Sequence, residues 1–280
     1  MNHAPFLSRQ VGDFIVTVLR DGIMSASLDL LSGIEPIDAG AIQRRVGIEK
    51  PGDIHINCYL IRGRGRTILV DAGMGGVNNS GGLLNKNLEA NGVSAKEVDT
   101  ILLTHGHPDH IGGLLDAEGG PVFKHAALYL HWQEAEYWLD DEKEEMASER
   151  AKRNFALVRR TLKAYAHNLH FINGNEIIKG ILPIWLPGHT PGHTGFRIDS
   201  GNQSLLIWGD IVHFPHIQLA NPSVSIAFDL NPAQAKETRK TLLEQAVRAK
   251  LLIAGMHLDM AGFAYIFSTK DGYRVSYLEG

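Results

Sequence analysis

The chain has 280 residues, 44% of them hydrophobic and 21% charged, and its 27 basic and 31 acidic residues leave a net charge of −4. This is the composition of a folded globular protein; it supplies no overall attraction to nucleic acid or an anionic membrane. The lone cysteine, Cys58, excludes an intrachain disulfide, and no apolar run approaches the ~20 residues that cross a bilayer.

In chain order, residues 12–20 alternate and are β-branched, which predicts a strand. Residues 23–53, with Gly33, Pro36, Gly40, Gly47 and Pro51-Gly52, read as a long irregular segment, and such loops are often functional. Two strands, 54–61 and 67–70, flank the glycine-rich turn Arg62-Gly63-Arg64-Gly65-Arg66, whose arginines read as a solvated turn. Cys58 falls inside the first of these strands and reads as a small buried hydrophobe. The loop Asp71-Ala72-Gly73-Met74-Gly75-Gly76 fits no dinucleotide fingerprint and no Lys-Ser or Lys-Thr follows it, so Asp71 reads as support for a site. Residues 83–91 predict a helix and 98–103 a buried strand. Residues 131–169 carry helical signals, with Trp132, Tyr137, Trp138, Phe155 and Leu157 as the packing side. A strand at 181–186 and a hairpin formed by 196–198 and 204–208 follow, then a loop over 211–230. Asn231-Pro232 opens a helix that runs to about Lys250. Strands at 251–254, 263–267 and 273–278 complete a sheet. Strand-rich halves alternating with helices predict one domain, residues 1–280, with helices covering stacked sheets. The start of the chain, Met1 to Phe6, lacks a basic segment followed by an apolar one, so the expected location is cytoplasmic.

One stretch stands apart. Thr104-His105-Gly106-His107-Pro108-Asp109-His110 places three imidazoles and a carboxylate, the ligand set of zinc and similar metals, directly after an apolar run. Three further apolar runs end in polar residues: Gly188 to His193, Gly209-Asp210 and Met256-His257. Core strands rarely end this way repeatedly unless those ends converge on a ligand. A divalent ion held there would lower the pKa of a bound water towards ~7, so no Ser or Cys nucleophile is needed.

The series His105, His107, Asp109 and His110, then His189 in Gly-His-Thr, Asp210 in Gly-Asp and a late His257, resembles the metallo-β-lactamase superfamily over nearly the whole chain. The resemblance implies an α/β fold, an αββα sandwich of two stacked mixed sheets flanked by helices, with two metals at one edge. It implies that His105, His107 and His189 bind one ion, that Asp109, His110 and His257 bind the other, and that Asp210 bridges them. Two zinc ions are expected, with manganese, cobalt or iron as alternatives. His193 is read as structural. The segment 23–53, the run Gly209 to His213 and the ending Ala254 to Leu258 resemble the branch holding methyl parathion hydrolase and N-acyl homoserine lactonases.

The expected activity is therefore opening of a lactone or cleavage of a related ester, an N-acyl homoserine lactone being one candidate. A phosphotriester is the alternative, followed by an iron-dependent redox role and a non-catalytic binding role. True β-lactamases usually carry Cys where Asp210 stands, which disfavours that substrate. Asp109, Asp210 and His213 are the catalytic candidates. Some lactonases have Tyr where this chain has His213; its ring either takes over the donor role or packs against the helix after Asn231. Phe214, Ile217, Leu219 and Phe228 suit an apolar small-molecule substrate. No nucleic-acid or membrane partner is expected, and the early loop is a candidate homodimer interface.

Overall fold

Between Asp53 and Gly63 successive side chains serve two different cores. Cys58 and Leu60 face one, Tyr59 and Ile61 the other, as the period-two geometry of a strand buried on both faces requires. The same split recurs at Ile68, Leu69 and Val70 and at Leu205, Leu206 and Ile207. These alternations build a four-layered body. The computed structural model describes residues 6–278, the side chain of Asn78 apart, so that residues 1–5, most of the segment expected to carry no leader, lie outside it.

The chain begins with β1 (Ser8–Val11), β2 (Phe14–Ser25), the short β3 (Leu31–Ser32), α1 (Pro36–Arg45), β4 (Asp53–Gly63) and β5 (Arg66–Val70). Next come α2 (Leu84–Ala90), β6 (Thr100–Leu102), the single-turn α3 (Pro108–Ile111) and β7 (Ala127–His131). Three helices, α4 (Trp132–Leu139), α5 (Asp141–Met146) and α6 (Glu149–Ala164), precede β8 (Leu169–Ile172). Then follow β9 (Ile181–Trp185), β10 (Thr194–Ser200), β11 (Gln203–Ile207), α7 (Pro215–Gln218) and β12 (Ser225–Ile226). The chain closes with α8 (Pro232–Ala249), β13 (Leu252–Ala254), β14 (Phe263–Ser268) and β15 (Tyr273–Tyr277).

One sheet has the order β1-β2-β4-β5-β6-β7-β8, the other β15-β14-β13-β11-β10-β9. Both are mixed: the pairs β5/β6, β6/β7, β7/β8 and β11/β13 are parallel, and the remaining pairs are antiparallel. Val16, Ile61 and Val70 meet Phe196, Ile207 and Phe263 between the sheets. Leu88 of α2, Trp138 of α4 and Phe155 of α6 cover the first sheet's outer face, and Leu242 and Leu243 of α8 cover that of the second. The αββα sandwich is thus the fold.

Two expectations need correction. Residues 23–53 are not one irregular loop: β2 runs on to Ser25, and α1 starts at Pro36 with proline in its first turn. Its stripe is weak because it buries only Ala39, Gly40 and Gln43. The segment is ordered by a satellite core in which Ala26, Leu31 and Ile54 pack on Phe214, Ile217, Val224 and Ile226. Trp132 is not on the packing side; it is 47% exposed and lies against His131, which also stacks on Trp185. The helical stretch is broken where Asp140 and Ser148 accept N-cap hydrogen bonds from Lys143 N and Ala151 N.

The sandwich is also pinned across its interior. Tyr59 of β4 donates its hydroxyl hydrogen to Gly262 O (2.6 Å) and accepts from Gly255 N (2.8 Å), while Asn57 Nδ2 donates to Leu258 O (2.8 Å). These bonds hold the turn after β13 against the first sheet. Tyr59→Phe leaves a buried N–H and a buried carbonyl without their partner, so urea unfolding is expected to show a loss of about 2–4 kcal/mol.

Candidate metal centre

The parallel pairs β5/β6 and β11/β13 end at one edge of the sandwich. Asp71 follows β5, the His105–His110 run follows β6, Asp210 follows β11 and His257 follows β13. His189 lies in the turn between β9 and β10. His105 Nε2, His107 Nδ1 and His189 Nε2 stand 2.9, 2.9 and 3.2 Å apart. Beside them, Asp109 Oδ2 and His257 Nε2 are 3.5 Å apart, and His110 Nε2 is 3.4 Å from Asp109 Oδ2. A single oxygen, Asp210 Oδ2, belongs to both groups: it is 3.6 Å from His105 Nε2, 3.3 Å from His189 Nε2, and 3.2 Å from both His110 Nε2 and His257 Nε2. All seven residues named for metal in the sequence therefore meet in two clusters that share Asp210.

Each ring is aimed by its other nitrogen or by its loop. His110 Nδ1 lies 2.6 Å from Asp71 Oδ2, His189 Nδ1 2.9 Å from Asp229 Oδ1, and His257 Nδ1 2.7 Å from His55 O. Thr104 Oγ1 donates to Asp71 Oδ2 and sits 3.0 Å from His105 Nδ1. With those nitrogens engaged as donors, the opposite nitrogens turn lone pairs towards one another, which only a cation makes favourable. Their spacing approaches the ~3.3 Å edge of a tetrahedron built from 2.0–2.1 Å metal–nitrogen bonds. Among the described residues, buried His110 Nε2 and Asp210 Oδ1 also have no hydrogen-bond partner, as open ligand positions would. The donor set fits two metal ions.

His193 does not join the clusters. Its Nδ1 is 2.9 Å from Leu186 O and its Nε2 accepts from Asp210 N at 2.9 Å, so it sets the backbone that carries Asp210. Gly209 adopts φ +61°, and a Cβ there would come within 2.4 Å of His193 Nε2. His213 faces the site: Nε2 lies 3.2 Å from Asp210 Oδ2 and the ring stacks on His257. Burial pushes its pKa down to about 4, so the ring is neutral at physiological pH.

Two supports carried no motif in the sequence. Glu134, fully buried in α4, accepts from Gly106 N (3.0 Å), Gly192 N (2.9 Å) and Trp138 Nε1 (2.8 Å), so one carboxylate ties the His105 loop to the His189 loop. Asp229 stands before α8 and is backed by Arg239, whose guanidinium also donates to Ile211 O and Val224 O. A buried acid or arginine in an amphipathic helix is the only signal either could have given.

A family model described as the metallo-beta-lactamase superfamily matches residues 51–257. The chain belongs to that superfamily, a metallo-hydrolase fold with, here, the residues for a metal pair. Two curated relatives come from Bacillus subtilis (strain 168). The uncharacterised protein YobT is 28% identical over 156 residues, 56% of this chain and 62% of YobT. The probable metallo-hydrolase YflN is 29% identical over 157 residues, 52% of this chain and 55% of YflN. The match thus spans less than two thirds of either relative. Among solved structures, the hydrolase AbOPH in the β-lactamase superfamily is 29% identical with a TM-score of 0.91, covering 100% of this chain and 99% of that one. AidC, a dizinc quorum-quenching lactonase in complex with its product N-hexanoyl-L-homoserine, is 26% identical with a TM-score of 0.91, covering 98% of both chains.

Burial alone would lower His189, but its hydrogen bonds to the Asp210 and Asp229 carboxylates, which accept from the ring, outweigh that and raise it to about 9; carboxylates likewise raise His110 and His257. In the metal-free protein at neutral pH His189 carries a proton, which metal uptake must expel, and the upward shifts of His110 and His257 act in the same direction. Calorimetry in buffers of differing ionisation heat should read at least one proton released per chain near pH 7, and apparent affinity should climb as pH rises to about 9. Glu134→Gln turns an amide N–H towards at least one of three N–H donors. It should cost about 1–3 kcal/mol in unfolding of the metal-loaded protein and speed metal loss to a chelator.

Proposed function

We propose that the chain is a dinuclear zinc hydrolase that opens lactones or cleaves related esters, N-acyl homoserine lactones being one candidate. The observation that carries this reading is the shared carboxylate: Asp210 Oδ2 lies between two complete ligand clusters at the foot of a cavity of about 800 Å³. That volume suits a small-molecule substrate. The reading draws further support from the full-length likeness to AidC, a dizinc lactonase, and from the AbOPH hydrolase.

In this reading His105, His107 and His189 hold one ion, and Asp109, His110 and His257 the other. When bound, the pair supplies an acidified water and a Lewis-acid contact for the electrophile. Asp210 and Asp109 offset the charge of the pair and hold it in a buried place where burial alone would disfavour ions. His110, His257 and His105 keep the Asp210 carboxyl well below its ordinary range despite burial, so it stays ionised across the physiological span. His213 lines the cavity with Nε2 3.2 Å from Asp210 Oδ2, and its neutral ring carries one N–H, which would turn from that carboxylate to a bound substrate. It is the group proposed to donate a hydrogen bond to the oxygen under attack. Asp229 and Asp71 act through the rings they aim, His189 and His110.

Acid release from a panel of lactones, aryl esters and phosphotriesters, followed on metal-reconstituted protein, tests the reading. Lactones are expected to give the highest kcat/KM, with activity lost to a chelator and restored by zinc. Chelator-insensitive turnover overturns the mechanism, and a preference for phosphotriesters overturns the substrate class. His213→Gln should lower kcat/KM about 10- to 100-fold with metal content unchanged; an unaltered rate would remove His213 from the chemistry.

A further inference from the structure

The cavity that opens on the two clusters is not uniformly apolar. Met24, Leu157 and Phe228 supply apolar wall, but Arg150, Arg153 and Arg160 of α6 also line it. Their spacing puts three guanidinium groups along one side of a helix. Other cations of α6 are spent differently: Arg159 bonds Asp141 (2.8 Å) and Glu144 (2.9 Å), and Lys152 bonds Glu149 (3.1 Å). None of the three cavity arginines has an ion pair among the described residues. The acids that line the cavity are Asp109 and Asp210, both within the metal clusters.

A continuous wall joins the two ends. His213 Nε2 is 3.2 Å from Asp210 Oδ2; the His213 ring lies 5.9 Å from that of Phe228; and the Arg150 guanidinium carbon sits 4.9 Å over the Phe228 ring. The stacking fixes one guanidinium over the wall rather than leaving it to sweep through solvent. Along this wall the metal clusters, the apolar Phe228 and the Arg150 guanidinium therefore follow one another, and Arg153 and Arg160 line the same cavity from the same side of α6.

We infer that this cavity takes a substrate whose end remote from the scissile bond carries an anionic group, a carboxylate or a phosphate, held by Arg150, Arg153 and Arg160. The inference rests on the ester- or lactone-hydrolase reading above and narrows its substrate class. Planar guanidinium groups match carboxylate and phosphate oxygens in paired hydrogen bonds, and all three, being exposed, are open to such a partner. A neutral alkyl tail leaves three like charges along one face of α6 without a counter-charge in the cavity; an anionic tail supplies it.

Calorimetric binding to the zinc-loaded protein separates this inference from the hydrolytic reading, because it needs no turnover. The ligands are octanoate, suberate and ω-phosphonooctanoate, which share one carboxylate and differ at the far end. Suberate or the phosphonate should bind about tenfold more tightly than octanoate, the stronger of the two identifying the tail, and the preference should shrink with added salt. Single Arg→Gln changes at 150, 153 and 160 should each cut the preference about two- to fivefold, and the triple change should abolish it. Lys152→Gln, on the same helix but paired with Glu149, should keep it. Equal affinity for all three ligands, a preference that survives the triple change, or no detectable binding of either dianion overturns the inference. Lactone turnover measured in parallel decides the hydrolytic reading on its own terms.

Discussion

One buried oxygen organises the molecule's functional edge. Asp210 Oδ2 lies within 3.6 Å of His105 Nε2 and within 3.2–3.3 Å of nitrogens from His110, His189, His213 and His257. A carboxylate stripped of water is costly, and so is a nest of converging imidazoles. Together, each supplies part of what the other lacks, and the rest is the place a cation pair would take. The arrangement is therefore a charge balance as much as a geometry.

That balance spans the whole sandwich. His105, His107, Asp109 and His110 follow a strand of one sheet, whereas His189, Asp210 and His257 come from connections of the other. Neither sheet alone owns a complete set. Glu134 binds the His105 loop to the His189 loop, and Tyr59 holds the turn before His257 against the first sheet. The stability of the interior and the precision of the clusters thus rest on the same few buried polar contacts.

Much of this was legible in the sequence because the ligands are local in kind: polar residues directly after apolar runs announce strand ends. The order of strands 54–61, 67–70 and 98–103 and the long helix after Asn231 were readable for the same reason, each having strong periodicity or a cap. His189 and His193 could be distinguished only by position in a pattern; in the fold one faces the clusters and the other carries the backbone of Asp210. What stayed hidden depends on burial at a distance. Asp229, Glu134 and Arg239 look like surface residues in sequence, since nothing local says that the partners in question lie 15 to 58 positions away. Helix α1 was missed because a helix that buries so little leaves a faint stripe.

The satellite core has a consequence for how such a protein can change. Ala26, Leu31 and Ile54 pack with Phe214, Ile217 and Val224 in a cluster apart from the three cores that hold the layers. The walls nearest the cavity, Met24 on one side and Phe228 on the other, are carried by this annex, packed at its margin. Mutations in distant clusters combine nearly independently. The annex can accordingly be re-tailored by successive substitutions while the frame behind it keeps its shape, so that a lineage could explore new molecules without first surrendering the machinery that attacks them.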